Sequence, residues 1–583
     1  MSKHLLIYLI FFTWVLVAQA NENQYQVKID TSAYLRTFLL KHLDIIKWQQ
    51  NPRLTLAEWR RLNQGAKQNI ESLLRTEGYF SPSISQSMTE QNNVSTVTFK
   101  IEPGPPLLVD QVEISFTGEI ANKTSDESST ITKFKEDWLL KPKLQFRQDD
   151  WDQAKRKLLT AILIERYPNA AISNSSAIVN PDSNTAKLIV EIDSGPSMRF
   201  GNLTIVGLKR YPASIVENLN PIKAGSQYSQ SQLLTFQSRL QESGYFRSVE
   251  VIANTKATNP DGSLVINAPI KVTVNENKAV KLGVGAGYST NTGARTQVSV
   301  DHLNIFNLGW RLKSSLKFEQ KAQSLESQIL LPTNKSGYRD SISASVDRTA
   351  IEGQTIISTQ TGVKRAWGGR RKEQYVSANL LSEQVKVDGA KSSNNFAGTL
   401  TYGITLRLTN SLINPTSGYL LNAQFTAAPL DALSDGTFLQ TYLKAQAYYP
   451  ITSSTQLITR AEIGMVNGKN SAPEAFLFRA GGDQSVRGYG YQSLGVTEGD
   501  AIVGGRYLAT GSVEVVQWLT EQWGSAVFVD FGNAANSFKD LKPVFGYGLG
   551  LRWKSPVGPV GADVAYGEKT DEYRLHFNIG VAF

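Results

Sequence analysis

One glycine-rich stretch of the sequence places an arginine where it could bind carboxylates. The stretch Gly481–Tyr489 reads GGDQSVRGY and belongs to a segment of about 40 residues between two strand-like segments, a length at which irregular loops are usually functional or disordered. The guanidinium of Arg487 can hold a carboxylate through two parallel hydrogen bonds when both groups are partly dehydrated. We therefore take Arg487 as the first candidate for a functional side chain.

Two acidic residues in later strand-like segments are candidate partners of Arg487. Apolar residues alternate through Trp523–Phe531, so Asp530 falls on the opposite, polar face. The segment Val513–Val515 places Glu514 between two valines in the same way. If the apolar faces meet lipid, both carboxylates point into the interior of a barrel, where a loop folded inward would bring Arg487 against Asp530, with Glu514 near. The alternative is that these interior charges are simply solvated, as in porins.

Alternating strands must position these side chains, and residues 279–583 consist almost entirely of such strands. We count about sixteen runs of about ten residues, separated by Gly, Asn, Asp, Ser and Pro, which is typical of outer-membrane barrels. The last run, Tyr573–Phe583, carries an apolar stripe that is an aggregation hazard in water but suits lipid. The pattern predicts a 16-stranded antiparallel transmembrane β-barrel with a long inward loop at residues 466–504. A soluble β-sandwich array is the alternative.

The residues before the barrel form a degenerate repeat of strands and helices. In the third copy Leu233, Phe236 and Leu240 share one helical face, and Gly244–Phe246 then opens a strand. The first copy repeats this closely, whereas the second is the weakest match. We expect three α+β domains with the element order β-α-α-β-β, at residues 21–104, 105–196 and 197–278.

The N-terminal residues 1–20 read as a secretory signal peptide. A short basic start is followed by the apolar run Leu5–Ala18 and by small residues at Ala18–Ala20, the pattern of a cleavage site. A membrane anchor is the alternative, but a spanning helix needs about 20 apolar residues. The signal predicts export, and together with the barrel it predicts a Gram-negative outer membrane, with the repeat domains in the periplasm.

Composition argues against an enzyme. The chain has no cysteine and 4 histidines, which are scattered, and it contains no nucleophile elbow, P-loop or zinc-protease motif. We expect no catalytic residue, metal or cofactor. The net charge is +9, but no basic tract of five or more residues is present, so we expect no nucleic-acid partner.

Three motifs and the chain end resemble those of the outer-membrane assembly-factor superfamily, in which POTRA domains precede a 16-stranded barrel. The loop motif VRGY is matched by Val486, Arg487, Gly488 and Tyr489. The motif FxDxG is matched by Phe528, Asp530 and Gly532, and RWxSPVGP by Arg552, Trp553, Ser555, Pro556, Gly558 and Pro559. The chain end resembles the C-terminal signal that the barrel-assembly machinery reads, through Phe577, Ile579, Val581 and Phe583.

The resemblance implies a contact between Arg487 and Asp530 and, less directly, one with Glu514. Three POTRA copies are similar to the TamA branch, whereas BamA proteins typically have five and two-partner secretion transporters two. The TamA branch implies a TamB-like, inner-membrane-anchored partner and client outer-membrane proteins such as autotransporters. It also implies membrane lipid around the barrel, and the barrel-assembly machinery for the protein's own insertion.

The first barrel strand suggests how such a protein could act. A barrel closes where its first strand, near Val280–Ser289, meets its last, and Gly283, Gly285 and Gly287 weaken the first strand. An open seam would expose backbone groups that a client strand could satisfy. The alternatives are a two-partner-type secretion pore for a dedicated substrate, which the lack of a plug helix after residue 20 disfavours, and lipid transport between the membranes.

Overall fold

A computed structural model describes residues 24–579 of the chain, except for residues 50, 52, 92–93, 123–124, 469–471 and 557. The predicted signal peptide and the C-terminal residues Val581 and Phe583 lie outside these described residues. The described chain forms two compact units. One contains the residues up to 203 with 222–233 and 252–270, and the other contains 204–221, 234–251 and the residues from 271 onward.

The first domain has three helices where two were predicted. Its elements are β1 Gln24–Asp30, α1 Ala33–His42, α2 Asp44–Gln49, α3 Leu56–Thr76, β2 Ser83–Gln91 and β3 Val94–Glu102. Its sheet has the order β1-β3-β2. The extra helix arises because Leu43 adopts an extended conformation between α1 and α2 while its side chain is fully buried. Helix α3 begins with a capping box, in which Thr55 and Glu58 satisfy each other's backbone N–H groups.

The second domain keeps the predicted order around a 3-10 turn at Glu119–Asn122. Its elements are β4 Leu108–Thr117, α4 Ser125–Glu136, α5 Gln148–Ile164, β5 Ala171–Asn180 and β6 Thr185–Asp193. The sheet has the order β4-β6-β5, with β4 and β6 parallel. Its core is formed by the inward faces of β6 and α5, since Leu188, Val190 and Trp151 are all buried.

The third domain confirms the predicted helical face. Its elements are β7 Arg199–Val206, α6 Ser214–Leu219, α7 Gln230–Glu242, β8 Phe246–Ala253 and β9 Asn267–Glu276, with the sheet order β7-β9-β8. Leu233, Phe236 and Leu240 of α7 are all buried, as their spacing predicted. The fold of α+β repeats in the order β-α-α-β-β is therefore confirmed, with one added helix in the first domain.

Sixteen antiparallel strands form the predicted barrel, each paired with its neighbour in sequence order. They are β10 Val280–Ser289, β11 Gly293–Ile305, β12 Trp310–Glu319, β13 Ala322–Leu330, β14 Arg339–Ile351, β15 Gln354–Gly368, β16 Lys372–Val387, β17 Ser393–Thr409, β18 Gly418–Ala428, β19 Phe438–Pro450, β20 Thr455–Gly468, β23 Tyr507–Trp518, β24 Trp523–Ala535, β25 Val544–Ser555, β26 Gly558–Gly567 and β27 Glu572–Ile579. Two short strands, β21 Val496–Glu498 and β22 Ala501–Val503, pair with each other in the loop between β20 and β23.

The outer face of the barrel is apolar, as the alternation predicted. On β27, Tyr573 and Leu575 are 77% and 72% exposed, whereas His576 between Leu575 and Phe577 is 6% exposed. The same alternation places Val513 outward and Glu514 inward on β23. Because apolar side chains cover the outside while charged ones point inward, this surface suits a bilayer.

One carboxylate fixes the end of the third domain just before the barrel begins. Glu276, the last residue of β9, accepts backbone N–H groups from Lys209, Arg210 and Tyr211 at 2.8, 2.8 and 3.2 Å. Its other oxygen accepts from Nε of Arg210 at 3.1 Å. Burial alone would raise the pKa of Glu276, but these four donors hold the pKa below its usual value.

A Glu276→Gln substitution is expected to loosen this turn at neutral pH. The neutral amide accepts weaker hydrogen bonds, so protection of the amides of residues 209–211 from hydrogen exchange should fall about tenfold. Because the pKa of Glu276 is lowered on folding, the carboxylate stabilises the domain above about pH 4.3 and loses that effect as pH falls through the lowered value. Exchange measured by mass spectrometry, corrected for intrinsic rates, should therefore differ at pH 7 and converge in strong acid. The exposed Glu250→Gln on β8 is the control and should change nothing.

Candidate functional site: the inward loop and the barrel seam

The loop between β20 and β23 lies inside the barrel. It starts after Gly468 and ends before Tyr507, so its limits are close to the predicted 466–504. Val486, Tyr489 and Leu494 of the loop are 0%, 1% and 5% exposed and join a core with inward side chains of the strands. The loop is therefore packed within the barrel rather than extended into solvent.

Several contacts attach the loop to the wall formed by β14–β16. The carboxylate of Glu383, on β16, accepts the N–H groups of Glu474 and Ala475 at 2.6 and 3.1 Å. Backbone bonds of 2.9 Å join Asp500 and Ile502, beside and within β22, to the turns that end β16 and β14. The start and end of the loop are thus held on this side, which leaves its middle to reach across the interior.

Arg487 reaches the opposite wall and binds Asp530 through two parallel hydrogen bonds. Its Nε and Nη2 donate to the two oxygens of Asp530 at 2.7 and 2.9 Å, and its backbone N–H donates to the same carboxylate at 3.0 Å. The guanidinium carbon also lies 3.3 Å from the ring centroid of Phe528, so the ring and the carboxylate of the FxDxG motif hold the same side chain. Arg487 is 2% exposed and Asp530 fully buried, so the pair is dehydrated.

The second predicted partner, Glu514, is also in contact with Arg487. Nη1 of Arg487 donates to Glu514 at 2.8 Å and to Asp563, on β26, at 2.9 Å. Arg552 of the RWxSPVGP motif binds both of these carboxylates, with bonds of 2.7 Å to Glu514 and 2.5 Å to Asp563. We call Arg487, Arg552, Glu514, Asp530 and Asp563 the arginine–carboxylate network. It connects the loop to four successive strands, β23 to β26.

Close backbone contacts explain the glycines around Arg487. Gly488 has a φ of +94°, and a Cβ there would lie 2.8 Å from the carbonyl of Tyr566 on β26. On β25, a Cβ at Gly546 would lie 1.9 Å from the carbonyl oxygen of Arg487. Neither position has room for a side chain, since real Cβ atoms do not approach so closely. The loop backbone therefore lies directly against the backbone of β25 and β26.

Of the remaining motif residues, Tyr489 adds to this contact, whereas Gly532 and Trp553 contact neighbouring strands. Tyr489 donates through its hydroxyl to the carbonyl of Phe545 at 2.9 Å and accepts the N–H of Lys569 at 3.0 Å. Gly532 has a φ of +147° beside the backbone of Ala509. Trp553 stacks on Trp523 of the neighbouring strand at 5.5 Å.

Other predicted site residues lie outside the network. In the second half of the RWxSPVGP motif, Ser555 is buried and Pro556 is exposed. Only the backbones of Gly558 and Pro559 are described. Of the predicted C-terminal signal, Phe577 points outward and is 41% exposed, whereas Val581 and Phe583 fall beyond the described residues and the side chain of Ile579 is not described.

One member of the network and two residues beside it were not predicted from the sequence. Asp563 lies between Ala562 and Val564 on β26, and the alternation that identified Asp530 would have identified it as well. Arg460 approaches Asp530 to 4.0 Å, and His576 accepts the N–H of Gly488 through Nε2 at 3.0 Å. The described residues contain no group of three or more acidic or histidine side chains arranged to hold a metal ion. The arrangement can hold and position a loop.

The first barrel strand, β10, and the last, β27, meet without a described ladder of backbone hydrogen bonds. Strand β10, which contains Gly283, Gly285 and Gly287, pairs with β11, and β27 pairs with β26, but no pairing joins β10 to β27 within the described residues. One bond crosses directly, from the N–H of Phe577 to the hydroxyl of Thr290 at 3.3 Å. The barrel is therefore nearly closed, and among the described residues its seam has one direct bond where every other strand boundary has a ladder of backbone hydrogen bonds.

The fold and the site together define an outer-membrane barrel with an internal arginine loop and periplasmic α+β domains. The Omp85 superfamily domain matches residues 275–583, more than half of the chain, and the chain belongs to that superfamily. The POTRA domain TamA domain 1 matches residues 32–103, and the POTRA domain described as a surface antigen variable number repeat matches residues 198–277. No helix in the described ranges is long and apolar enough to cross a membrane.

Two relatives agree with this family, and a solved structure has the same fold. The chain is 23% identical to an outer membrane protein assembly factor BamA of Nitratidesulfovibrio vulgaris, over 82% of this chain and 61% of that protein. It is 22% identical to BamA of Neisseria meningitidis serogroup B, over 73% of this chain and 63% of that protein. The chain thus spans less than two thirds of both relatives. The crystal structure of BamA from Haemophilus ducreyi lacking POTRA domains 1–3 has the same fold, with a TM-score of 0.67 at 16% identity, covering 82% of this chain and all of that chain.

Proposed function

We propose that the protein is an assembly and translocation factor that inserts or secretes client β-barrel proteins, such as autotransporters, through the seam between β10 and β27. The observation that carries the proposal is the edge of β10, which no described strand covers. Backbone N–H and C=O groups without partners are costly in lipid, so an arriving client strand that pairs with β10 would be stabilised there. No covalent step, metal or cofactor is needed, and the protein acts without being an enzyme.

Two further features support the TamA branch of the superfamily. The first domain matches the TamA-specific POTRA family over residues 32–103, and the described chain carries three α+β domains before the barrel. On this basis the partner is a TamB-like protein anchored in the inner membrane, which would contact the periplasmic domains. The named relatives are BamA proteins, so the shared function of protein assembly is the broader part of the proposal and the TamB-like partner the narrower one.

A client strand arriving at the seam should be captured from β10. A photo-crosslinking residue at Gly285 is suitable because a Cβ added there meets no atom within 4 Å. With a stalled autotransporter barrel as client, we expect adducts from this position. Ser343, which lies in the middle of β14 and pairs on both sides, is the matched control and should give none. Adducts of equal yield from both positions, or none from Gly285 while the client is being assembled, would contradict the proposal.

A further inference from the structure

The inward loop contacts both sides of the seam within six residues. On one side, Nδ2 of Asn291 donates a hydrogen bond to Oδ1 of Asp483. Asn291 lies in the turn between β10 and β11, so this bond attaches the loop to the first hairpin. The approach is close, since a Cβ at Gly482 would lie 3.1 Å from Oδ1 of Asn291. Asp483 is 6% exposed, so water competes little with its hydrogen bond to Asn291.

On the other side of the seam, the same loop segment holds the last strands. The N–H of Gly488 donates to Nε2 of His576 on β27, and Arg487 donates to Asp563 on β26. Residues 483–488 therefore connect the first hairpin to the last two strands from inside the barrel. One other direct bond between described residues crosses the same gap, from the N–H of Phe577 on β27 to the hydroxyl of Thr290 in the turn after β10.

We propose that residues 483–488 form a latch across the seam, with Asn291, Asp483 and His576 as the residues that position it. Release of the latch and opening of the seam are then one coupled event. The inference rests on the proposed function in one respect, because it is the open seam that admits a client strand.

The two ends of the latch differ in strength. The end at β26 and β27 is fixed by the arginine–carboxylate network and by close backbone contacts, all of them buried. The end at β10 and β11 depends on the Asn291–Asp483 bond, and β10 is a glycine-containing strand with one paired edge. The first hairpin is therefore the part that moves when the latch opens, while the loop stays on the last strands.

Spin labels across the seam test the latch directly. The chain has no native cysteine, so cysteines at Val284 and Leu575 would be the only labelled sites, and both positions face outward at 85% and 72% exposure. In the full-length protein in lipid nanodiscs, the wild type should give one main distance. Asp483→Ala should increase the population at longer distance about tenfold, the change expected when a hydrogen bond to a charged group is lost.

Three further variants make this result specific. Asn291→Ala removes the same bond from the other side, and it decides the question if Asp483→Ala fails to fold. Asp483→Asn keeps an oxygen acceptor and should restore the closed distance. Glu498→Ala, an exposed acidic residue of the same loop on β21, is the matched control and should leave the distances unchanged.

Unchanged distances in a folded Asn291→Ala protein would overturn the latch and leave client insertion at β10 untouched. Conversely, if the latch variants lengthen the distance as expected but Gly285 gives no client adducts, the result contradicts the proposed function alone.

Discussion

Replacing Arg487 by alanine is expected to lower the free energy of unfolding of the barrel by about 3–5 kcal/mol, the usual cost of removing one partner from a buried ion pair. The substitution removes both bonds to Asp530, those to Glu514 and Asp563, and the stacking on Phe528. Asp530, which is fully buried, would then have Arg460 at 4.0 Å as its nearest cation. The loop would lose its main attachment to β23–β26, and client assembly should fall with it.

A second arginine–aspartate pair provides a control with the same bond geometry. Arg365 binds Asp340 through two bonds of 2.7 and 2.9 Å, but its side chain is 54% exposed. Because exposed pairs are worth about 0–1 kcal/mol, Arg365→Ala should have little effect. Urea unfolding of both variants in lipid vesicles measures the difference. Equal losses of stability in the two proteins would show that burial of the network is not what holds the loop.

The sequence was sufficient to predict the faces of the strands, and its resemblance to a known family predicted the central contact of the site. Alternation placed Asp530 and Glu514 inward, and the VRGY and FxDxG motifs then favoured a contact with Arg487 over solvated interior charges. Both contacts are present in the structure. Alternation works here because a strand's side chains point to opposite faces, which depends on local geometry alone.

Contacts that depend on register could not be predicted in the same way. Arg552 meets Glu514 only because β23, β24 and β25 are staggered as they are, and alternation gives no stagger between strands. The bond between Asn291 and Asp483 joins residues 192 positions apart in turns and loops, where no periodic pattern exists. In the first domain, α1 and α2 are separate helices because Leu43 between them is extended. This is a local backbone conformation, and the apolar pattern of the sequence does not reveal it.

Whether the first and last strands are paired at the seam is the feature that the sequence predicted least. Glycines in β10 suggested a weak strand, yet composition cannot show whether the first and last strands are paired. In the structure β10 is bonded along one edge, and a single described bond joins β27 to Thr290, in the turn after β10. The proposed function depends on this gap, because a barrel whose first and last strands were fully hydrogen-bonded would leave a client strand no backbone to pair with.

Locking the seam is therefore expected to abolish client assembly. Cysteines replacing Thr290 and Leu575 stand on either side of the gap, close to the Phe577–Thr290 bond, and can be joined by a short thiol crosslinker. A covalent bridge prevents β10 from moving away from β27 and leaves the lumen and the periplasmic domains intact. The control bridge joins Val298 to Leu316, which are already paired on β11 and β12 and face outward, so it should have no effect.

The most direct measurement is the yield of membrane-inserted autotransporter client from the Thr290–Leu575 double variant, before crosslinking and after it. Without crosslinker the yield should match that of the cysteine-free protein. With crosslinker it should fall to the level found when the protein is absent, while the Val298–Leu316 variant keeps its activity. If the locked protein continues to insert its client at the normal rate, clients do not pass through the seam between β10 and β27.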